Sequence, residues 1–153
     1  MMRFLTILHQ LPQYLLGLFI TRKLKPCHKV GDVRIYKTKK IEGLSLGFFI
    51  LLDPDIVEGT WIVKHEFGHI IQSRILGWFY IPVVLIPSYL WFRFGDYDVE
   101  SYYDFYTERW ANKLIWSRKY NGVINFRLEE LYISALFPHT KTKPANDKKY
   151  GRK

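Results

Sequence analysis

The chain has 153 residues, enough for one domain with a real core, and its 23 Lys and Arg against 14 Asp and Glu leave a formal net charge of +9. Aromatic residues make up 18% of it, against an ordinary share of roughly a tenth; a basic, aromatic-rich chain without any motif of a nucleic-acid fold points to membrane lipid as partner and away from specific nucleic acid. The single cysteine, Cys27, excludes an intrachain disulfide and a cysteine-based zinc site.

Residues 4–20 are largely apolar but interrupted by His9, Gln10, Pro12 and Gln13. They lack the clean apolar core and small-residue cleavage site of a secretory signal, and are marginal for a spanning helix, which needs about 20 predominantly apolar residues. The basic run from Arg22 to Lys29 follows. A helix over about 3–24 is predicted, either anchored at an anionic leaflet or packed on the core. Residues 30–40, with Val33, Ile35 and Thr38 separated by Arg34, Tyr36 and Lys37, are predicted to form an edge strand guarded by lysines. Gly43 permits a turn, and residues 44–52, interrupted by Gly47, form the second strand of a short β-hairpin. A strand there could hold an extended peptide through its backbone groups.

Asp53 before Pro54, or Asp55 with Glu58, supplies a helix N-cap. The helix that follows contains His65-Glu66-Phe67-Gly68-His69, the pattern His-Glu-x-x-His. Residues four apart share a helix face, so His65 and His69 can aim two imidazole nitrogens at one metal ion. Glu66, rotated about 100° around the axis, sits beside that point as a base for a bound water. Val63, Phe67, Ile70 and Ile71 form the buried stripe, and Gln72 joins the two histidines on a neighbouring face. Gly68 inside a helix suggests a close backbone approach, and Gly77 fits the position just past the helix end.

Residues 75–94 are strongly apolar and broken by Pro82 and Pro87, which predicts a broken or re-entrant hydrophobic hairpin with Trp and Tyr at headgroup depth; a soluble core segment is the alternative. From Asp98 to about Tyr120 a helix is predicted, with Tyr103, Tyr106, Trp110 and Leu114 as its apolar stripe and Asp104, Glu108 and Asn112 on one face. A catalytic zinc takes three protein ligands. Glu108 is the expected third ligand, Asp104 and Glu100 are its rivals, and Asn112 is placed to accept the other N–H of a ligating histidine. A last short helix over 123–137 is predicted before Pro138, and the lysine-rich residues 141–153 form a basic, disordered tail after a single domain of residues 1–140.

His65-Glu66-Phe67-Gly68-His69 followed by Glu108-Arg109-Trp110-Ala111-Asn112 resembles the two-helix site of gluzincin-type zinc metallopeptidases. The longer stretches 43–47, 64–72 and 106–112 also resemble a group of small uncharacterised bacterial proteins with a His-Glu-Tyr-Gly-His motif beside hydrophobic segments. The resemblance spans most of residues 1–120. It implies an α+β, mainly helical, minimal zincin-like domain that binds Zn2+ through His65, His69 and Glu108 and hydrolyses a peptide or protein substrate with Glu66 as general base, at a bacterial inner membrane or its cytoplasmic face. The chain departs from the pattern at Asn112, where gluzincins usually have Asp. No histidine suited to a transition-state donor follows; Tyr106, Tyr103 or Tyr102 stands in for it. The other reading is a catalytically silent, membrane-associated protein stabilised by zinc.

Overall fold

Phe49, Ile50, Leu51 and Leu52 are apolar without alternation and all four are buried. Such a run belongs to an inner strand covered on both faces. The computed structural model describes residues 2–56 and 61–116; the expected helix over 123–137 and the tail 141–153 lie outside them. It has an α+β architecture, mainly helical, around a four-stranded sheet: β1 (His28–Val30), β2 (Val33–Lys37), β3 (Gly43–Leu46) and β4 (Phe49–Leu52), in the order β1-β2-β4-β3. β2 and β4 are parallel, and the outer pairs antiparallel.

The sheet is larger than the hairpin expected from sequence. Residues 44–52 are two strands, because Gly47 adopts φ 64° and lets the chain reverse within a two-residue loop. Gly43 opens β3 and makes no turn; the turn lies just before it. β2 is an interior strand, not an edge. Its Tyr36 is buried, and Lys37 donates to the carbonyl oxygens of Asp53 and Ile56. Asp53 does not cap the helix: residues 54–56 form a turn in which Asp53 Oδ1 accepts from the Asp55 N–H, and Glu58 lies outside the described residues.

The two faces of the sheet serve different helices. Ile35, Ile50 and Leu52 pack with Val63, Phe67 and Ile70 of α3 (Trp61–Leu76) and with Leu114 of α6 (Tyr106–Trp116). Phe49, Leu51 and Tyr36 on the other side pack with Tyr14, Leu16 and Ile20 of α2 (Leu11–Thr21). The predicted first helix is two, α1 (Met2–His9) and α2, broken at Gln10 because Pro12 has no N–H for the Leu8 carbonyl, which accepts from Trp78 Nε1 at 2.9 Å instead; the Gln10 side chain turns inward, where its Oε1 accepts from Ser73 Oγ of α3 at 2.8 Å. α3 ends at Leu76, and Gly77 follows it with φ 55°.

Residues 77–94 do not fold back as a hairpin. After the left-handed Gly77 the chain stays helical through a 3-10 turn (Gly77–Phe79), a π turn (Ile81–Leu85) and α4 (Ile86–Phe94). Pro87 has no N–H to give the Val83 carbonyl four residues earlier, and the Tyr106 hydroxyl donates to it instead at 2.7 Å. Among the described residues, no helix is long and apolar enough to cross a membrane. The single helix expected from Asp98 onward is α5 (Val99–Tyr102), closed at its start by an Asp98–Ser101 capping box, then a turn, then α6.

α3 and α6 meet where Gly68 faces Ala111. A Cβ on Gly68 would stand 2.4 Å from the Ala111 carbonyl oxygen, so only a bare backbone lets the helices come this close. Gly68→Ala is expected to destabilise the fold by about 1–3 kcal/mol through overpacking, despite the better helix propensity of Ala. Thermal denaturation checks this: an unchanged or higher melting temperature would show that the helices can part freely.

Candidate metal centre

His65 and His69 stand one turn apart on α3, and the close contact at Gly68 brings Glu108 of α6 opposite them. All three side chains are buried. Glu108 Oε2 lies 2.9 Å from His65 Nε2 and 3.2 Å from His69 Nε2, and the two imidazole nitrogens are 3.1 Å apart. These three residues lie close enough to bind a metal ion.

The hydrogen bonds around this cluster fix which ring nitrogens carry hydrogen. Gln72 Nε2 donates to the Thr107 carbonyl at 2.7 Å, which turns Gln72 Oε1 toward His69 Nδ1, also at 2.7 Å. Asn112 Oδ1 lies 2.7 Å from His65 Nδ1. An amide oxygen only accepts, so both Nδ1 atoms carry hydrogen, and in the neutral imidazoles both Nε2 lone pairs point at each other and at a carboxylate oxygen. Three lone pairs within about 3 Å repel unless a proton or a metal cation sits among them.

Burial works against the His69 cation, but Glu108 beside it and Glu66 nearby outweigh this and raise its pKa to about 9. Burial likewise opposes the Glu108 carboxylate, yet His69 and His65 hold it well below the usual range. Its other oxygen, Oε1, accepts from Thr107 Oγ1 at 3.1 Å, and Thr107 Oγ1 accepts from Ser88 Oγ at 2.8 Å.

Glu66 is set from the sheet. Ser45 Oγ of β3 donates to Glu66 Oε2 at 2.6 Å. Two residues earlier on the same face of the strand, a Cβ on Gly43 would stand 2.4 Å from Glu66 Oε1. Gly43 therefore has no side chain because the carboxylate occupies that space. His65, Glu66, His69 and Glu108 all line a cavity of about 660 Å³ walled by β3, the segment Leu85–Phe92, Tyr97, Tyr102 and Tyr103.

No protein-family model, curated protein or solved structure matches this chain. The site therefore rests on its own geometry.

His65, His69, Glu108, Asn112 and Glu66 are brought together. Asp104 is not: it sits exposed in the turn before α6, because the helix that would have aligned it with Glu108 starts only at Tyr106. The Glu100 side chain lies outside the described residues. Tyr106 is also elsewhere, with its hydroxyl committed to Val83. Tyr103 does reach the site, its ring edge-on to His65 with centroids 5.1 Å apart. Tyr102 lines the same cavity, and burial, Glu108 and Glu66 push its pKa well above the usual value. Sequence reasoning missed Ser45, Thr107 and Ser88. Thr107 adjoins Glu108 and could have been suspected; Ser45 and Ser88 carry no local signal, since their partners are distant in the chain.

A metal ion must displace the proton that His69 holds at neutral pH. Because the folded pKa is raised to about 9, affinity should rise by about tenfold per pH unit from 7 to 9 and then level off. Zinc titrations of the metal-free chain across that range, with proton release measured in weak buffer, check this; an affinity flat with pH would remove His69 from the ligand set. Asn112→Leu should weaken metal binding by about 10–100-fold by freeing the His65 ring, and an unchanged affinity in the same titration would deny Asn112 that role.

Proposed function

We propose that this chain is a zinc-dependent peptidase in which His65, His69 and Glu108 hold the ion and Glu66 is the general base. The observation that carries the reading is the convergence of a three-residue donor set and a fourth, separately held carboxylate on one open cavity. The donor atoms are 2.9 to 3.2 Å apart, near the roughly 3.3 Å that nitrogen and oxygen ligands at about 2.0–2.1 Å from tetrahedral zinc require. A structural zinc is enclosed by four protein ligands, whereas a catalytic one keeps a position open. Among the described residues, three such ligands gather here, beside a cavity.

A bound zinc ion would supply Lewis acidity, polarising a peptide carbonyl and lowering the pKa of a water toward about 7. The residues of the chain do the rest. Ser45 holds Glu66 Oε2 and the open space over Gly43 receives Oε1, so the carboxylate is oriented to take a proton from the attacking water and hand it to the departing amine. Asn112 and Gln72 fix the tilt of the two imidazoles. β3 is the outer strand of the sheet, and by the alternation of an antiparallel ladder Gly43 and Ser45 turn their backbone groups away from β4; the Ser45 carbonyl on that side already accepts from the Tyr80 hydroxyl at 2.8 Å, which leaves Gly43 as the pairing position. An extended substrate pairing at Gly43 would bring its carbonyl past Glu66. The Tyr103 and Tyr102 hydroxyls are the donors nearest in kind to what an oxyanion would need.

A second reading, in which the ion only ties α3 to α6, is favoured by Asn112: a neutral amide strengthens a histidine ligand less than a carboxylate does. Glu66→Gln separates the two. The substitution should leave zinc content unchanged and lower cleavage of a quenched-fluorescence peptide library by about 10²–10⁴-fold. Equal cleavage by the variant would reject Glu66 as base, and a zinc-loaded wild type without cleavage would favour the structural role.

A further inference from the structure

α2 is apolar on its outer side as well as its inner one. Tyr14, Leu16 and Ile20 pack against the sheet and a polar row, Gln13 and Thr21 with Gly17 between them, is buried, while Leu15, Leu18 and Phe19 are 55%, 39% and 62% exposed. A helix whose outer side met only water would carry polar residues there. The polar side is held in place: Gln13 Nε2 donates to Ser73 Oγ at 3.0 Å and to the Gly77 carbonyl at 2.9 Å, and Thr21 Oγ1 donates to the Gly17 carbonyl. α1 extends the exposed apolar side with Phe4, Leu5 and Leu8. Trp78 Nε1 donates to the Leu8 carbonyl, joining α1 to the next apolar segment. There Phe79, Val83, Ile86, Leu90 and Phe94 recur every three or four residues, all exposed, and no residue of α4 is buried.

Along the segments that build this surface the charges have one sign, with the exposed Asp96 and Asp98 following only past its far end at Phe94. Residues 1–31 contain no Asp or Glu, nor do residues 67–95. Arg22, Lys23, Lys25 and Lys29 are exposed beyond the end of α2, and Arg93 is exposed near the end of α4. The Arg22 guanidinium lies 4.3 Å from the Phe19 ring centroid and that of Arg93 lies 5.4 Å from that of Phe94, so each cation borders the apolar side chains. Covering the patch with a second copy of itself would set these cations against their own kind.

We infer that this surface docks on an anionic lipid membrane, with the side chains of α1, α2 and residues 79–94 entering the headgroup boundary and the Arg and Lys side chains meeting phosphates. Ile86 and Tyr89, 48% and 60% exposed, belong both to this surface and to the cavity lining. The cavity therefore opens at the level of the lipid, and, resting on the peptidase reading, the substrate class is a peptide lying at a bilayer surface.

The test reads lipid binding alone, so it stands whether or not the site cleaves anything. The full chain is mixed with phosphatidylcholine–phosphatidylglycerol vesicles; bound fraction is measured by co-sedimentation, and tryptophan quenching by lipids brominated on the acyl chain. Binding is expected, with quenching that a Trp78→Phe variant diminishes. The combined variant Leu15→Ser, Phe19→Ser, Phe79→Ser, Phe94→Ser should bind at least about tenfold more weakly while keeping the wild-type melting profile. Binding that high salt abolishes and that leaves tryptophan unquenched would be a contact of charges only and would overturn the proposal. So would self-association through the patch in place of vesicle binding, or a folded variant that binds as well as the wild type.

Discussion

The approach of two helix backbones at Gly68 and Ala111 is the constraint on which the candidate centre depends. His65 and His69 are fixed relative to each other by the pitch of α3 alone. Glu108, Asn112 and the Thr107 carbonyl all come from α6, and each meets α3 through a hydrogen bond of 2.7 to 2.9 Å to a ring or amide of that helix. Hydrogen bonds weaken steeply with separation. A methyl group at position 68 would push apart, at once, every partner that gives the imidazoles their orientation.

The same helix is surrounded on all sides. From His65 to Ser73 every residue of α3 is buried, including His65, Glu66, His69, Gln72 and Ser73. Burying so many polar groups is tolerable only if each finds a partner. Glu66 finds Ser45 on the sheet, Gln72 finds α6, and Ser73 finds Gln10 and Gln13 on the amino-terminal helices. α3 is thus less an amphipathic surface helix than a central pillar whose polar side chains are each assigned to a different neighbour.

This explains what could and could not be read in advance. The two histidines, Glu66 and the apolar stripe were legible because they repeat at helical spacing within one stretch. Glu108 and Asn112 were legible because a second helix had the right spacing and the right chemistry. The start of that helix was not, since the Asp98–Ser101 cap closes one short turn and lets the chain pause before Tyr106. The sheet was half legible: Gly47 was seen as an interruption, but its hairpin, and the parallel pairing of β2 with β4, depend on contacts between residues about fifteen apart that no local pattern records. Tyr106 was misassigned for the same reason. Its hydroxyl is spoken for by a carbonyl that Pro87 leaves without an N–H, a vacancy created far away in the chain.

α3 also ties the metal centre to the apolar surface. His65, His69 and Ser73 are spaced four apart and so stand in one row along the helix. The first two face Glu108; the last receives Gln13, whose position on α2 turns Leu15, Leu18 and Phe19 outward. A rotation of α3 that spoiled the donor set would also withdraw Ser73 from α2 and release the polar side of that helix. The orientation of the apolar surface and the geometry of the candidate centre are therefore consequences of a single helix register, which gives the cavity mouth a fixed attitude toward whatever covers that surface.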